Sequence, residues 1–291
     1  MIKTRLLSCL LLFAVNCNSP KMAVKKTNTV SESSKFNIKN EETILNLTGK
    51  TALDLNVAFK NFPSPEQLQI LILDSLALKT IPTSISRFTQ LKHLSLVSNP
   101  DLDFKQTFDI LKKSPLEFLN LQKNKLTLLP ENTSSLQFLT EINLAYNNLK
   151  DEKNYLILSK LTHLKEVWLD HNNLQETPKK IGSLTQITRL YLGHNQLESL
   201  PKELIKMKNL RVLHLEYNNF NTFSEVFLET PSLLLLHLNN NNIKEIPRSF
   251  ESEKISLKGL ILDNNPISSK EQTWIEKEFS DFFLLSFDQK K

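Results

Sequence analysis

Four rings at equal spacing are the side chains of this chain best suited to chemistry: Trp168, Tyr191, His214 and His237, each 23 residues after the one before. Two residues beyond them stand Asp170, Gly193, Glu216 and Asn239, and one further on run Tyr146, His171, His194, Tyr217 and Asn240. Equal spacing in a repetitive chain means the same place in successive structural units. Large rings with polar tips are the residue types that anchor recognition surfaces. Five of the six histidines, His93, His171, His194, His214 and His237, fall in or beside these rows. With Asp170 and Glu216 they offer the donor types of a transition-metal site, or of binding that responds to pH. Zinc needs three or four convergent ligands with supporting contacts, and spacing alone assigns no such set. The plainer account of the rings is cross-strand packing on an exposed sheet face.

Catalytic patterns are missing. With only four Gly, the chain has no Gly-rich phosphate loop, and it shows neither a nucleophile elbow nor a His-Glu-x-x-His pair. Cys9 and Cys17 both precede the repeats, so neither a disulfide nor a Cys-ligated zinc is expected within them. The sequence therefore reads as non-enzymatic and without a cofactor. Net charge is +5, of which Lys3 and Arg5 near the N-terminus supply two, and the basic residues are scattered. Nucleic acid is not an expected partner.

An eleven-residue phrase, Leu-x-x-Leu-x-Leu-x-x-Asn-x-Leu, must position the rings. It stands at 116–126 and returns at 164–174, 187–197, 210–220 and 233–243. A fixed period of this length signals a solenoid. Complete repeats run 68–90, 91–115, 116–138, 139–163, 164–186, 187–209, 210–232 and 233–256, with a ninth opening at Leu257 and a worn one near Leu45–Leu55. Leu-x-Leu alternation makes a short strand, one per coil, stacked in parallel about 4.8 Å from the next. Nine such strands would make a sheet roughly 40 Å long. The x inside Leu-x-Leu then lies on the concave face, in the series Ile72, Ser95, Asn120, Asn143, Trp168, Tyr191, His214, His237, Ile261.

After each strand a buried Asn must turn the chain while bonding backbone groups of its own and neighbouring coils. It recurs at Asn99, Asn124, Asn147, Asn172, Asn195, Asn218, Asn241 and Asn265, and Leu76 interrupts the series. The outer half of a coil often carries Pro before an apolar residue, at Pro82, Pro130, Pro178, Pro201 and Pro247, which suits a turn into a short helix. Two coils are 25 residues long, and their extra residues should bulge on the outer side. From Ser269 to Phe283 the apolar period becomes helical, as a cap on the last coil requires.

At the N-terminus, basic Met1–Arg5 precedes the apolar run Leu6–Val15, which is too short to span a bilayer and has the form of a secretory signal. Its end, Phe13-Ala14-Val15-Asn16-Cys17, resembles a relaxed lipobox of bacterial lipoproteins, with Cys17 as the lipidated residue. Cys9 fits the letters better but leaves almost no apolar run before it. Residues 18–41 are rich in Asn, Ser, Lys and Thr and read as a tether.

The Leu/Pro version of the repeat looks like the 23-residue leucine-rich repeats common in bacteria. Together with Cys17, the chain resembles the leucine-rich-repeat lipoproteins of spirochaetes. The expected fold is an α/β solenoid: a leucine-rich-repeat horseshoe with a parallel concave β-sheet, short helices or turns outside, and a C-terminal capping helix. The expected organisation is a signal peptide over 1–16, a tether over 17–41, a degenerate repeat or cap over 42–67, repeats over 68–267 and a cap over 268–291. The resemblance implies a monomeric outer-membrane lipoprotein of the cell envelope, exposed at the surface, or a secreted protein if not lipidated. It would recognise a protein, or second a glycan, through Tyr146, Trp168, Asp170, His171, Tyr191, His194, His214, Glu216, Tyr217 and His237, with Trp168 and Tyr191 at the centre. A periplasmic scaffold and a His-rich metal-binding protein are the alternatives.

Overall fold

Alternating apolar residues make one strand per coil, and the strands assemble into a single parallel sheet. A computed structural model describes residues 43–50, 54–251 and 255–288. The signal over 1–16, Cys17 and the tether over 17–41 lie outside the described residues. The strands are β1 (Ile44–Asn46), β2 (Ile70–Ile72), β3 (His93–Ser95), β4 (Phe118–Asn120), β5 (Glu141–Asn143), β6 (Glu166–Trp168), β7 (Arg189–Tyr191), β8 (Val212–His214), β9 (Leu235–His237), β10 (Gly259–Ile261) and β11 (Leu284–Ser286). They pair strictly in chain order, without a crossover. The central residue of each repeat strand, such as Leu119, Ile142, Val167, Leu190 or Leu213, is wholly buried, and the apolar residue just beyond the strand is buried with it. Each such side chain contributes about 2 kcal/mol on leaving water. The core is therefore a continuous column beneath the sheet.

The buried Asn of each coil closes the turn after its strand. Asn195 is typical. Its Nδ2 donates to the carbonyls of Leu169 (3.1 Å), Leu192 (3.0 Å) and Gly193 (3.2 Å). Its Oδ1 accepts from Asn172 N–H (2.9 Å) and Leu174 N–H (3.1 Å) in the preceding coil. One amide thus satisfies buried backbone groups of two coils, which water cannot reach. At the start of the series, Asn99 accepts from the backbone N–H of Leu76 (3.2 Å) and Leu78 (3.1 Å).

Coil length sets the outer segment. Four coils with Pro carry a single 3-10 turn that begins at the next residue, at Thr83–Arg87, Glu131–Ser135, Lys179–Ser183 and Lys202–Lys206. The outer surface also has α1 (Leu55–Lys60), α2 (Phe104–Leu111), α3 (Glu152–Ser159) and α4 (Val226–Glu229). The two 25-residue coils are those that hold α2 and α3, so their additional residues lengthen a 3-10 turn into a full helix. Asp103 and Asp151 cap these helices, accepting from Gln106 N–H (2.9 Å) and Lys153 N–H (2.8 Å).

The C-terminal stretch departs from the helical pattern that the sequence runs to Phe283. Helix α5 (Ser269–Glu278) ends at Phe279, and the chain then adds β11 to the sheet. The physical reason is that Phe279 caps the last coil, 1% exposed, with Phe282 packed on it at 4.9 Å. The sheet therefore has eleven strands: the nine of the repeats, the worn strand β1 and the unforeseen β11.

Candidate functional site

The parallel register carries equivalent residues of successive coils into rows. Asn143, Trp168, Tyr191, His214 and His237 are direct neighbours across β5 to β9. Their rings stack: Trp168 on Tyr191 at 4.9 Å and 12°, Tyr191 on His214 at 4.3 Å and 16°, and His214 on His237 at 4.0 Å and 30°. This inner column is mostly shielded. Trp168 is only 8% exposed, sealed by Tyr191 and by the edge of Phe118 at 6.3 Å. Trp168, placed by the sequence at the centre of the recognition surface, is instead part of the packed interior of this face. A row of large side chains on one face packs itself out of water.

A second, outer column follows three residues later in each coil. Tyr146 stacks on His171 at 4.0 Å, His171 on His194 at 4.2 Å, and His194 on Tyr217 at 4.1 Å, all within 12° of parallel. Each of these four residues has a left-handed backbone, with φ between 52° and 57°. So do Ser75, Ser98, Lys123, Asn240 and Asn264 at the same place in other coils. A non-glycine residue in this region costs about 1 kcal/mol, here compensated by the Asn-closed turn that follows. The repeated φ gives every coil the same side-chain direction, which is why the rings align. Tyr146 and Tyr217 are 43% and 42% exposed, His194 is also exposed, and His171 is half-buried. Lys123 extends the column, its Nζ 5.0 Å from the Tyr146 ring centre.

Asp170, Gly193 and Glu216 lie between the columns. A Cβ at Gly193 would stand 2.9 Å from Asp170 Oδ1 and 3.1 Å from Glu216 Oε1, so the glycine allows two carboxylates to close over one backbone site. Asp170 accepts from Gly193 N–H at 2.9 Å. Burial and the neighbouring Glu216 push the Asp170 carboxyl up to about 7. Burial alone would raise Glu216 as well, but the His214 imidazole beside it, Nδ1 to Oε2 3.4 Å, brings it below the ordinary value. Burial and His214 hold His237 down at about 4, and burial, His194 and Lys123 do the same to His171. At neutral pH these two imidazoles are uncharged and free to accept. Among the described residues, His214, Glu216 and His237 are the one group of three such side chains whose donor atoms come together.

On the other flank of the inner column, Glu141 and Glu166 are raised chiefly by burial, and Arg189 pairs with Glu166. Residue type had not marked this flank, because a charged residue at a strand start reads as ordinary exposed surface. Its 23-residue register with Trp168 and Tyr191 was the available signal. Of the remaining histidines, His93 packs on Phe118 at 5.8 Å, and His163 lies away from the face, its Nδ1 3.0 Å from Gln137 O.

A family model for leucine-rich repeats matches residues 162–220 and, overlapping them, 185–243. The chain is 35% identical to adenylate cyclase of Schizosaccharomyces pombe over 101 residues, 34% of this chain and 6% of that protein. It is 38% identical to mouse osteomodulin over 65 residues, 22% of this chain and 15% of that protein. The chain thus spans only a small part of the curated relatives it matches. Among solved structures, an internalin of Listeria monocytogenes superposes with a TM-score of 0.51 and 19% identity, over 77% of this chain and 68% of that one. The family model and the superposition together support a leucine-rich-repeat solenoid.

Proposed function

We propose that this leucine-rich-repeat solenoid is a non-enzymatic module that binds a protein through its concave face, with the outer column as the anchor. The observation that carries this reading is the alignment of four rings on successive coils, Tyr146, His194 and Tyr217 exposed and His171 half-buried among them. His171 and His194 are covered on both faces by their neighbours, so the middle of the column offers edges and ring nitrogens, and the two end rings add their hydroxyls. That set suits the mixed polar and apolar contacts of a protein partner. The inner column supports the outer one, and the centre of the surface moves from Trp168 and Tyr191 to Tyr146 and Tyr217.

The test is a pull-down from envelope and host extracts with the full chain, followed by affinity measurement on the captured partner. Tyr146→Ala/Tyr217→Ala should bind at least about tenfold more weakly while remaining folded. Equal affinity would remove the outer column from the interface.

The setting we propose is a bacterial envelope, with the chain held by lipid on Cys17. The support is the basic start, the apolar run Leu6–Val15 and the lipobox-like end at Cys17. Cys17→Ser should move the protein from the detergent phase to the aqueous phase, and unchanged partitioning would refute the anchor. Protease treatment of intact cells separates a surface receptor, which is cleaved, from a periplasmic scaffold, which is protected.

A further inference from the structure

We infer that His214, Glu216 and His237 form a binding site for a late first-row divalent cation, with zinc the best-suited ion. Strands β8 and β9 place His214 directly beside His237, and Glu216 follows His214 by two residues, where the strand gives way to the turn. One donor atom from each of the three lies within 4.8 Å of the other two. A tetrahedral zinc with bonds of about 2.1 Å holds its donors roughly 3.4 Å apart, so side-chain rotation of the order of an ångström closes the set.

Two features of the unliganded side chains point the same way. The other stacked pairs in the two columns lie within 11° to 16° of parallel, whereas His214 and His237 open to 30°. This pair is thus the least parallel of the two columns, and both rings rotate further when their nitrogens converge on one ion. Glu216 Oε2 is buried and has no hydrogen bond of normal geometry, its approach to His214 Nδ1 being 3.4 Å. A buried carboxylate oxygen without a donor costs free energy that a cation would recover.

The donor set selects the ion. Two imidazoles and one carboxylate suit zinc and its late first-row neighbours, whereas calcium and magnesium require oxygen ligands. Three protein ligands leave a fourth position for water or for a group of a second molecule. Gly193 puts no side chain between Asp170 and Glu216, whose carboxylate oxygens lie 2.9 and 3.1 Å from where its Cβ would stand. Asp170 thus sets a second acidic group beside the Glu216 ligand, the type of group that supports metal ligands. The outer-column histidines, stacked between Tyr146 and Tyr217, belong to no such group among the described residues.

The site stands independently of the partner proposed above. It is tested on the full chain, stripped of metal with a chelator and titrated with Zn²⁺ by calorimetry and with Co²⁺ by absorption spectroscopy. The expected result is one zinc per chain, a rise in Tm with zinc, and a cobalt spectrum of nitrogen and oxygen ligation without the thiolate band that Cys9 or Cys17 would give. Glu216→Gln and His237→Ala should each weaken binding by at least about tenfold, since loss of a ligand exceeds loss of a supporting contact. His194→Ala, in the outer column, should bind as the parent does. The circular dichroism of each variant checks its fold, and the two ligand variants are independent of each other. Absence of stoichiometric zinc overturns the site. So does binding that survives both ligand variants, or that falls equally in His194→Ala.

Discussion

Trp168 and Tyr191 lie ring on ring across β6 and β7, 4.9 Å apart and 12° from parallel, and this contact buries the tryptophan to 8% exposure. The face at this point is built like a core, with Phe118 closing the open edge of Trp168. Trp168→Ala should therefore lower the unfolding free energy by about 3 kcal/mol, the scale of a large side chain lost from a packed site. Tyr146→Ala, at an exposed site, should cost under about 1 kcal/mol. Urea unfolding of the two variants separates them, and equal effects would show that Trp168 is surface in energetic as well as positional terms.

The Asn turn gives a sharper case, because its bonds cannot pass to water. Asn195→Leu keeps the branched shape and removes five hydrogen bonds to backbone groups. Leaving those buried groups without partners should cost about 3 kcal/mol. Serine or glutamine at 195 should not restore the loss, since neither places an amide at the same reach. A urea midpoint within the error of the parent's would mean that water enters the turn.

The repeat was legible because its Leu and Asn positions carry core and turn, and neither tolerates much else. The rows of rings were legible for the same reason, since a fixed period fixes the register. Which rings would be covered was not legible. That depends on Phe118, two coils from Trp168, and on the tilt of each stack. The strand β11 escaped because its signal is three residues long and follows phenylalanines at helical spacing. The meeting of Asp170 with Glu216 escaped because it depends on what Gly193 lacks.

The cap on the last coil rests on one acid. Glu271, in the first turn of α5, accepts from Ile246 N–H (3.1 Å) and from both terminal nitrogens of Arg248 (3.0 and 2.6 Å). Arg248 in turn lies 3.6 Å from the centre of the Trp274 ring. Glu271→Ala should free the cap before the rest of the solenoid, because each coil is stabilised mainly by its neighbours. Hydrogen exchange reads this directly. The amide of Leu262, which donates to Ser286 O at 2.7 Å, should lose protection while that of Leu192 keeps it. Equal change at both amides would show global destabilisation instead.

The outer column makes stability depend on pH through His171. Its imidazole is held down at about 4 by burial, by His194 and by Lys123, against an ordinary value of 6.5, and Tyr146 covers its other face. The unfolded chain therefore binds a proton that the folded chain refuses between about pH 6.5 and 4. Stability through this group is greatest above 6.5 and is lost as pH falls through the window. Asp170 works the other way, since its raised value near 7 favours the folded state at low pH. The two partly cancel in the parent, so the informative quantity is a difference of slopes. His171→Gln removes one contribution and leaves the other. Its Tm, measured in chelator, should fall less between pH 7.5 and 5 than that of the parent, or should rise. An unchanged slope would mean that the stacked imidazole protonates as freely as one in water.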